Sequence, residues 1–122
     1  MKQKIIAIFL IAVTAISFCG CNSGQKHSDE AIKAAESAIM YAERYINGVD
    51  DVETTQDNLN AVSDELDAYL DENEDSETYA ADWVVSMDLL DLSFMFITES
   101  ISGGQISDIQ NQVDEMKSEI GR

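Results

Sequence analysis

Proline is missing altogether from this chain of 122 residues, and histidine occurs once. Without proline, no helix suffers the break that a missing N–H and a ring clash impose. The two cysteines, Cys19 and Cys21, both lie near the start, so the rest of the chain offers no thiol for a disulfide, a metal or a nucleophile. The one histidine, His27, falls in the short polar stretch Asn22 to His27 and reads as solvated linker. A histidine-based catalytic triad is therefore not expected. A glycine-rich phosphate loop and a histidine–carboxylate metal motif are also absent from the sequence. Paired carboxylates could do acid–base work only in a cleft that separates their pKa values, and the acids here fall in polar, exposed stretches. The expectation is a chain that is not an enzyme.

Basic residues are scarce as well, 7 Lys and Arg against 24 Asp and Glu. All 24 acids follow Cys21, whereas Lys2 and Lys4 precede it. The chain after Cys21 therefore keeps five basic groups and a formal charge of −19. Affinity for nucleic acid comes mainly from Lys and Arg neutralising phosphates, so no nucleic-acid partner is expected. Anionic lipid headgroups would repel the domain for the same reason. Such charge serves solubility. It also suits a basic protein partner or divalent cations.

What is present at the start of the chain decides location. Lys2 and Lys4 precede an apolar run, Ile5 to Phe18, that has the length of a signal h-region and is too short for a membrane-spanning helix of about 20 apolar residues. Small Gly20 then stands before Cys21. The segment Phe18-Cys19-Gly20-Cys21 resembles the lipobox of bacterial lipoproteins, although Phe18 and Cys19 differ from the aliphatic and small residues usual there. Cys19 is the rival acceptor, disfavoured because bulky Phe18 would occupy the position the peptidase needs small. The resemblance implies a signal peptide over 1–20 and a diacylglycerol on the Cys21 sulfur, with no other cofactor. Residues 21–27 would be the lipidated cysteine and a polar tether, and the protein would sit on the cell membrane or outer membrane, outside the cytoplasm. At ~0.8 kcal/mol per buried methylene, two or more acyl chains hold far more firmly than one. The alternatives are an uncleaved membrane anchor or a plain secretory signal.

From residue 28 to 122 apolar residues recur at alternating intervals of three and four, the signature of amphipathic helices. The first helix is expected over about Asp29 to Asn47, capped by Ser28, stopped at Gly48, with Ile32, Ala35, Ile39, Ala42, Ile46 and Val49 on one stripe. Asp50-Asp51-Val52-Glu53 resembles a capping box, starting a second helix that reaches about Asp71 with Val52, Thr55, Leu59, Val62, Leu66 and Tyr69 inward. The third, about Ser76 to Ser102, has Ala80, Trp83, Met87, Leu90, Phe94, Ile97 and Ile101 as its stripe. It is apolar off the stripe too, at Val84, Val85, Leu89, Leu92, Met95 and Phe96, which predicts burial on several sides. Gly103-Gly104 ends it, and a fourth helix, about Gln105 to Ile120, uses Ile106, Ile109, Val113, Met116 and Ile120. Short connections then specify one all-α domain, an antiparallel up-down bundle of about four helices with the third central. The fourth helix is shorter than the third. Apolar surface near Trp83, Val84 and Met87 would stay open unless Tyr41, Tyr45 or Tyr69 cover it, and cover is the expectation. Trp83, Met87, Phe94, Met95 and Phe96 suit core better than a ligand pocket.

The densest acidic stretch, Asp71 to Glu77, invites a calcium reading. Asp71, Asn73, Asp75 and Glu77 alternate, and Asp82 stands at the twelfth position, so the segment resembles a degenerate EF-hand loop. Ser76 replaces the required glycine, Thr78 the central aliphatic, and Asp82 is shorter than the closing glutamate. A solvated acidic turn with Asp75 or Ser76 capping the third helix is the preferred reading, and Asp71, Asn73, Asp75 and Asp82 are candidates without a committed metal site. The functional expectation is a small acidic cell-envelope lipoprotein acting as a non-catalytic binding or accessory module. The alternatives are a lipoprotein binding divalent cations or a small ligand, and an inhibitor or immunity-type lipoprotein directed at a basic cell-wall enzyme or toxin.

Overall fold

The structure, a computed structural model, describes residues 26–121. The signal segment, with Cys19 and Cys21, lies outside the described residues. Four helices follow one another: α1 (Asp29–Ile46), α2 (Val52–Glu72), α3 (Tyr79–Ser102) and α4 (Ile106–Glu119). Ser28 caps α1 by accepting the Ala31 N–H at 3.1 Å. Asp51, one residue later than expected, caps α2 by accepting the Thr54 N–H at 2.8 Å. The α1–α2 turn passes through Gly48 at φ 76°, and α3 ends where Gly103 and Gly104 take φ 69° and 81°. L residues with a side chain rarely adopt that region, so these glycines set the turns.

The helices form the expected antiparallel all-α bundle. Each packs on its neighbours in sequence, α4 closes back on α1, and α1 also meets α3 across the diagonal. That diagonal contact has a cause in the sequence. On α1 the residues facing inward are Ala31, Ala35, Ala38 and Ala42, each no more than 1% exposed. A row of methyl groups lets one helix axis come close to two others, as a row of leucines would not. Ile39 flanks the row, and Leu59, Leu66, Leu70, Ile109, Val113, Met116 and Ile120 from α2 and α4 complete the core.

Helix α3 touches all three other helices, as α1 also does, and its orientation reverses the expected one. The inward residues are Val85, Leu89, Leu92 and Phe96, all buried. Of the row expected inside, Ala80 is buried, but Trp83, Met87, Leu90, Phe94, Ile97 and Ile101 lie outside, with Phe94 57% and Ile101 80% exposed. The two rows share the same three-four spacing and are offset by two residues, about 200° around the helix axis. They therefore occupy opposite faces, and periodicity alone does not choose between them. Nor do the tyrosines cover the outer row. Tyr45 instead packs edge-on against inward Phe96, ring centroids 5.1 Å apart, and Tyr69 lines a groove between α1 and α2.

Two leucines of α3 separated by a single residue give a direct test of this orientation. Leu92→Ala should destabilise the protein by about 2–5 kcal/mol, as core truncations do, while Leu90→Ala should cost no more than about 0.5 kcal/mol. Urea unfolding of the two variants would show it, and equal losses would mean the helix is turned the other way.

Candidate functional site

Two features of the bundle carry unusual chemistry: a buried ionic cluster at one end and the outer face of α3. The cluster forms where α1 and α3 begin and α4 ends. Asp82 is in the first turn of α3, fully buried, and accepts the Ser28 backbone N–H at 2.9 Å and the Thr78 hydroxyl at 2.8 Å. His27 sits against it. Its Nδ1 lies 3.7 Å from Asp82 Oδ1 and its Nε2 3.3 Å from Glu119 Oε1, and its side chain is almost wholly buried. The expectation that His27 is solvated linker is thus overturned. The imidazole lies between two carboxylates whose charge favours its protonated form, although neither ring nitrogen completes a hydrogen bond.

Burial pulls the His27 pKa down, but Asp82 and Glu119 outweigh it and hold the ring above its ordinary value. Asp82 is likewise buried, which would raise its pKa, yet His27, Ser28 and Thr78 together hold it below the usual carboxylate range. The cluster takes up the Thr78 hydroxyl in a hydrogen bond to Asp82. What it does is fasten the residue preceding α1 to the starts and ends of three helices.

Asp82 is therefore unavailable to close a calcium loop. Of the other candidate ligands, Asn73 donates through its amide to the Tyr69 carbonyl at 2.8 Å, and Asp71 and Asp75 are exposed. The structure does not gather the four around a common point, and among the described residues no group of three His, Cys, Asp or Glu side chains is placed to hold a metal ion. Helix α3 begins at Tyr79 rather than Ser76, because the intervening residues form a turn: Ser76 Oγ accepts the Thr78 N–H at 3.2 Å, and Thr78 turns its hydroxyl to Asp82. Neither Asp75 nor Ser76 caps the helix.

The second feature is the outer face of α3. Met87, Leu90, Phe94, Ile97 and Ile101 run along it in one line, with Trp83 at its head. Three of the residues expected in the core, Trp83, Met87 and Phe94, thus lie on open surface. Met95 is half-buried against the core and Phe96 is within it. Acids border the face. Ser86 donates to Asp67 of α2 at 2.9 Å on one side. On the other, Asp88 is crowded by Glu119, Asp91 and Glu115, and burial together with these charges pushes its pKa up to about 6. Helices α2 and α3 contain no basic residue to offset them. The groove between α1 and α2, lined by Glu30, Lys33, Val62 and Tyr69, holds about 170 Å³, less than the ~300 Å³ at which ligand pockets usually begin.

Comparison with known proteins gives no matching family model, no matching curated protein and no matching solved structure, so function rests on the chemistry of the bundle itself. No helix among the described residues is long and apolar enough to cross a membrane.

Titration of the cluster and of Asp88 sets a pH dependence. His27, with its pKa raised on folding, contributes stability that is complete below its unfolded value near 6.5 and is lost as pH rises through the folded value. Asp88, also raised, adds stability at low pH that is lost as pH climbs from 3.8 through about 6. Asp82, lowered, works the other way and is lost only in acid, as pH falls below 3.8. The melting temperature should therefore be higher at pH 5.5 than at pH 8. Asp88→Asn should raise it at pH 8 and reduce the difference, and His27→Gln should lower it most at pH 5.5. A profile that rises from pH 5.5 to 8 would contradict these assignments.

Proposed function

We propose that this protein is a lipid-anchored, non-catalytic binding module of a bacterial cell envelope, held by diacylglycerol on Cys21 and presenting the outer face of α3 to a protein partner. The supporting observation is that face. The bundle fills its core with the inner row of α3 and still carries five further large apolar side chains in line on the outside. Single exposed apolar residues are ordinary on protein surfaces, whereas a contiguous row bordered by charge is the mark of an interaction site. The anchor reading is supported by the lipobox-like sequence ending at Cys21 and by the cluster at His27. That cluster grips the chain only six residues after Cys21, so a lipid there would keep the His27 end of the bundle towards the membrane.

The acidic turn between α2 and α3 lies at that same end, since α1 and α3 both start there. Anionic headgroups would repel it, and the bundle would stand off the bilayer with its flanks free. The exposed face lies along a flank, so a membrane anchor leaves it accessible.

Intact mass of the membrane-extracted product tests the anchor. The wild type should begin at Cys21 and carry a diacylglycerol adduct. Cys21→Ser should lack the adduct and leave the membrane fraction, while Cys19→Ser should behave as wild type. A product that retains Met1 without lipid would refute the anchored reading.

A further inference from the structure

We infer that the outer face of α3 receives a cationic amphipathic helix from a partner polypeptide. This rests on the reading of that face as a docking surface and adds the chemistry of its occupant.

The first argument is geometric. Met87, Leu90, Phe94, Ile97 and Ile101 follow one another at intervals of three and four residues. That spacing keeps a row straight along a helix, and it is the row into which a second helix interdigitates its own apolar residues. From Met87 to Ile101 the row extends about 21 Å at 1.5 Å per residue, enough for a partner of about four turns.

The second argument is charge. Between Arg44 and Lys117 the sequence contains no Lys, Arg or His, so neither lip of the face supplies a cation. Arg44 and Lys117 are themselves held by Asp50 and Glu43, at 2.7 and 2.8 Å. Asp67 stands on the α2 side, and Asp88, Asp91 and Glu115 on the α4 side, with no basic group interleaved. A helix lying in the row would set the flanks of its own apolar stripe against both acidic lips. Lysine and arginine at those flanks would be attracted, and glutamate would be repelled.

The same charge argues against a second copy of this chain as the occupant. Two such faces brought together would place like-charged lips in apposition, between chains that each carry a formal −19 after Cys21.

The test uses the full chain, purified as its host makes it and reconstituted in neutral phosphatidylcholine nanodiscs. Three synthetic peptides of about four to five turns are compared: leucines at three-four spacing with lysine elsewhere, the same composition with the leucines scattered, and the amphipathic pattern with glutamate in place of lysine. Binding is read by calorimetry and by the emission of Trp83, the single tryptophan, which heads the row. The amphipathic lysine peptide is expected to bind at least about tenfold more tightly than either control, and to weaken about tenfold as salt rises from about 50 to about 300 mM. Phe94→Ser, with helix content unchanged by circular dichroism, should lose about tenfold in affinity, and Asp91→Lys several-fold.

Equal binding of the scattered peptide, or unchanged affinity in folded Phe94→Ser, would overturn the proposal. Preference for the glutamate peptide, lost in Phe94→Ser, would overturn the cationic partner while leaving the docking face intact. Binding of no peptide, with a concentration-dependent dimer in sedimentation that Phe94→Ser abolishes, would overturn both the partner and the reading beneath it.

Discussion

The close packing of α1 against α3 through a row of alanines is the constraint on which the rest of this bundle depends. Ala31, Ala35, Ala38 and Ala42 bring α1 across the diagonal, and the space that remains is filled by Val85, Leu89, Leu92 and Phe96. Once that row points inward, the row two residues behind it is carried to the opposite side of α3 and faces out. The outer apolar line is thus a direct consequence of how α1 packs. Bulkier residues on α1 would hold the axes apart, disturb the packing of the inner row, and cost about 1–3 kcal/mol each in strain.

Fixing the diagonal at one end falls to the ionic cluster. Asp82 receives the first free N–H donor ahead of α1 and the Thr78 hydroxyl, which ties the starts of the two diagonal helices together. His27 adds Glu119 at the end of α4. A buried carboxylate is costly unless paired and hydrogen-bonded, and Asp82 accepts hydrogen bonds from Ser28 and Thr78 with the His27 ring 3.7 Å away. The opposite end is held differently. There Glu99 accepts both the Tyr45 hydroxyl, whose own pKa is pushed up to about 12 by that bond, and the Gln105 N–H at 2.8 Å, so one carboxylate joins α1, α3 and the turn into α4.

Much of this was legible in the chain. The four helices, their glycine stops and the Ser28 cap follow from three-four periodicity and capping chemistry. On α4 the expected Ile109, Val113, Met116 and Ile120 are inside, whereas Ile106, expected with them, is exposed. Helix α3 defeated the same reasoning because it carries two rows of equal spacing, and a hydrophobic period reports that a face exists without saying which of two faces is covered. The alanine row on α1 was the available signal: a stripe of small residues predicts close approach, and close approach selects the less bulky row of α3. His27 and Asp82 were illegible for another reason. A single residue has no period, and the two come together over a separation of 55 positions through the antiparallel course of the chain.

Charge links these two levels of the structure. A chain this acidic repels itself, and the fold places three of its few cations where they relieve specific contacts: Lys117 joins α4 to Glu43 of α1, Arg44 reaches Asp50 across the α1–α2 turn, and His27 lies between Asp82 and Glu119. None falls on α2 or α3. The seam of α3 with α4 therefore remains uncompensated, and there burial first, then the charges of Glu119, Asp91 and Glu115, push the Asp88 pKa up to about 6. A basic helix seated on the outer row would supply the missing cations to that seam, and binding would draw the Asp88 proton off as the charged form became favoured. Docking and deprotonation are then linked, so affinity for such a partner should strengthen as pH rises through about 6, in the direction opposite to the stability of the bundle alone. The same acid that weakens the isolated fold at neutral pH would strengthen the complex.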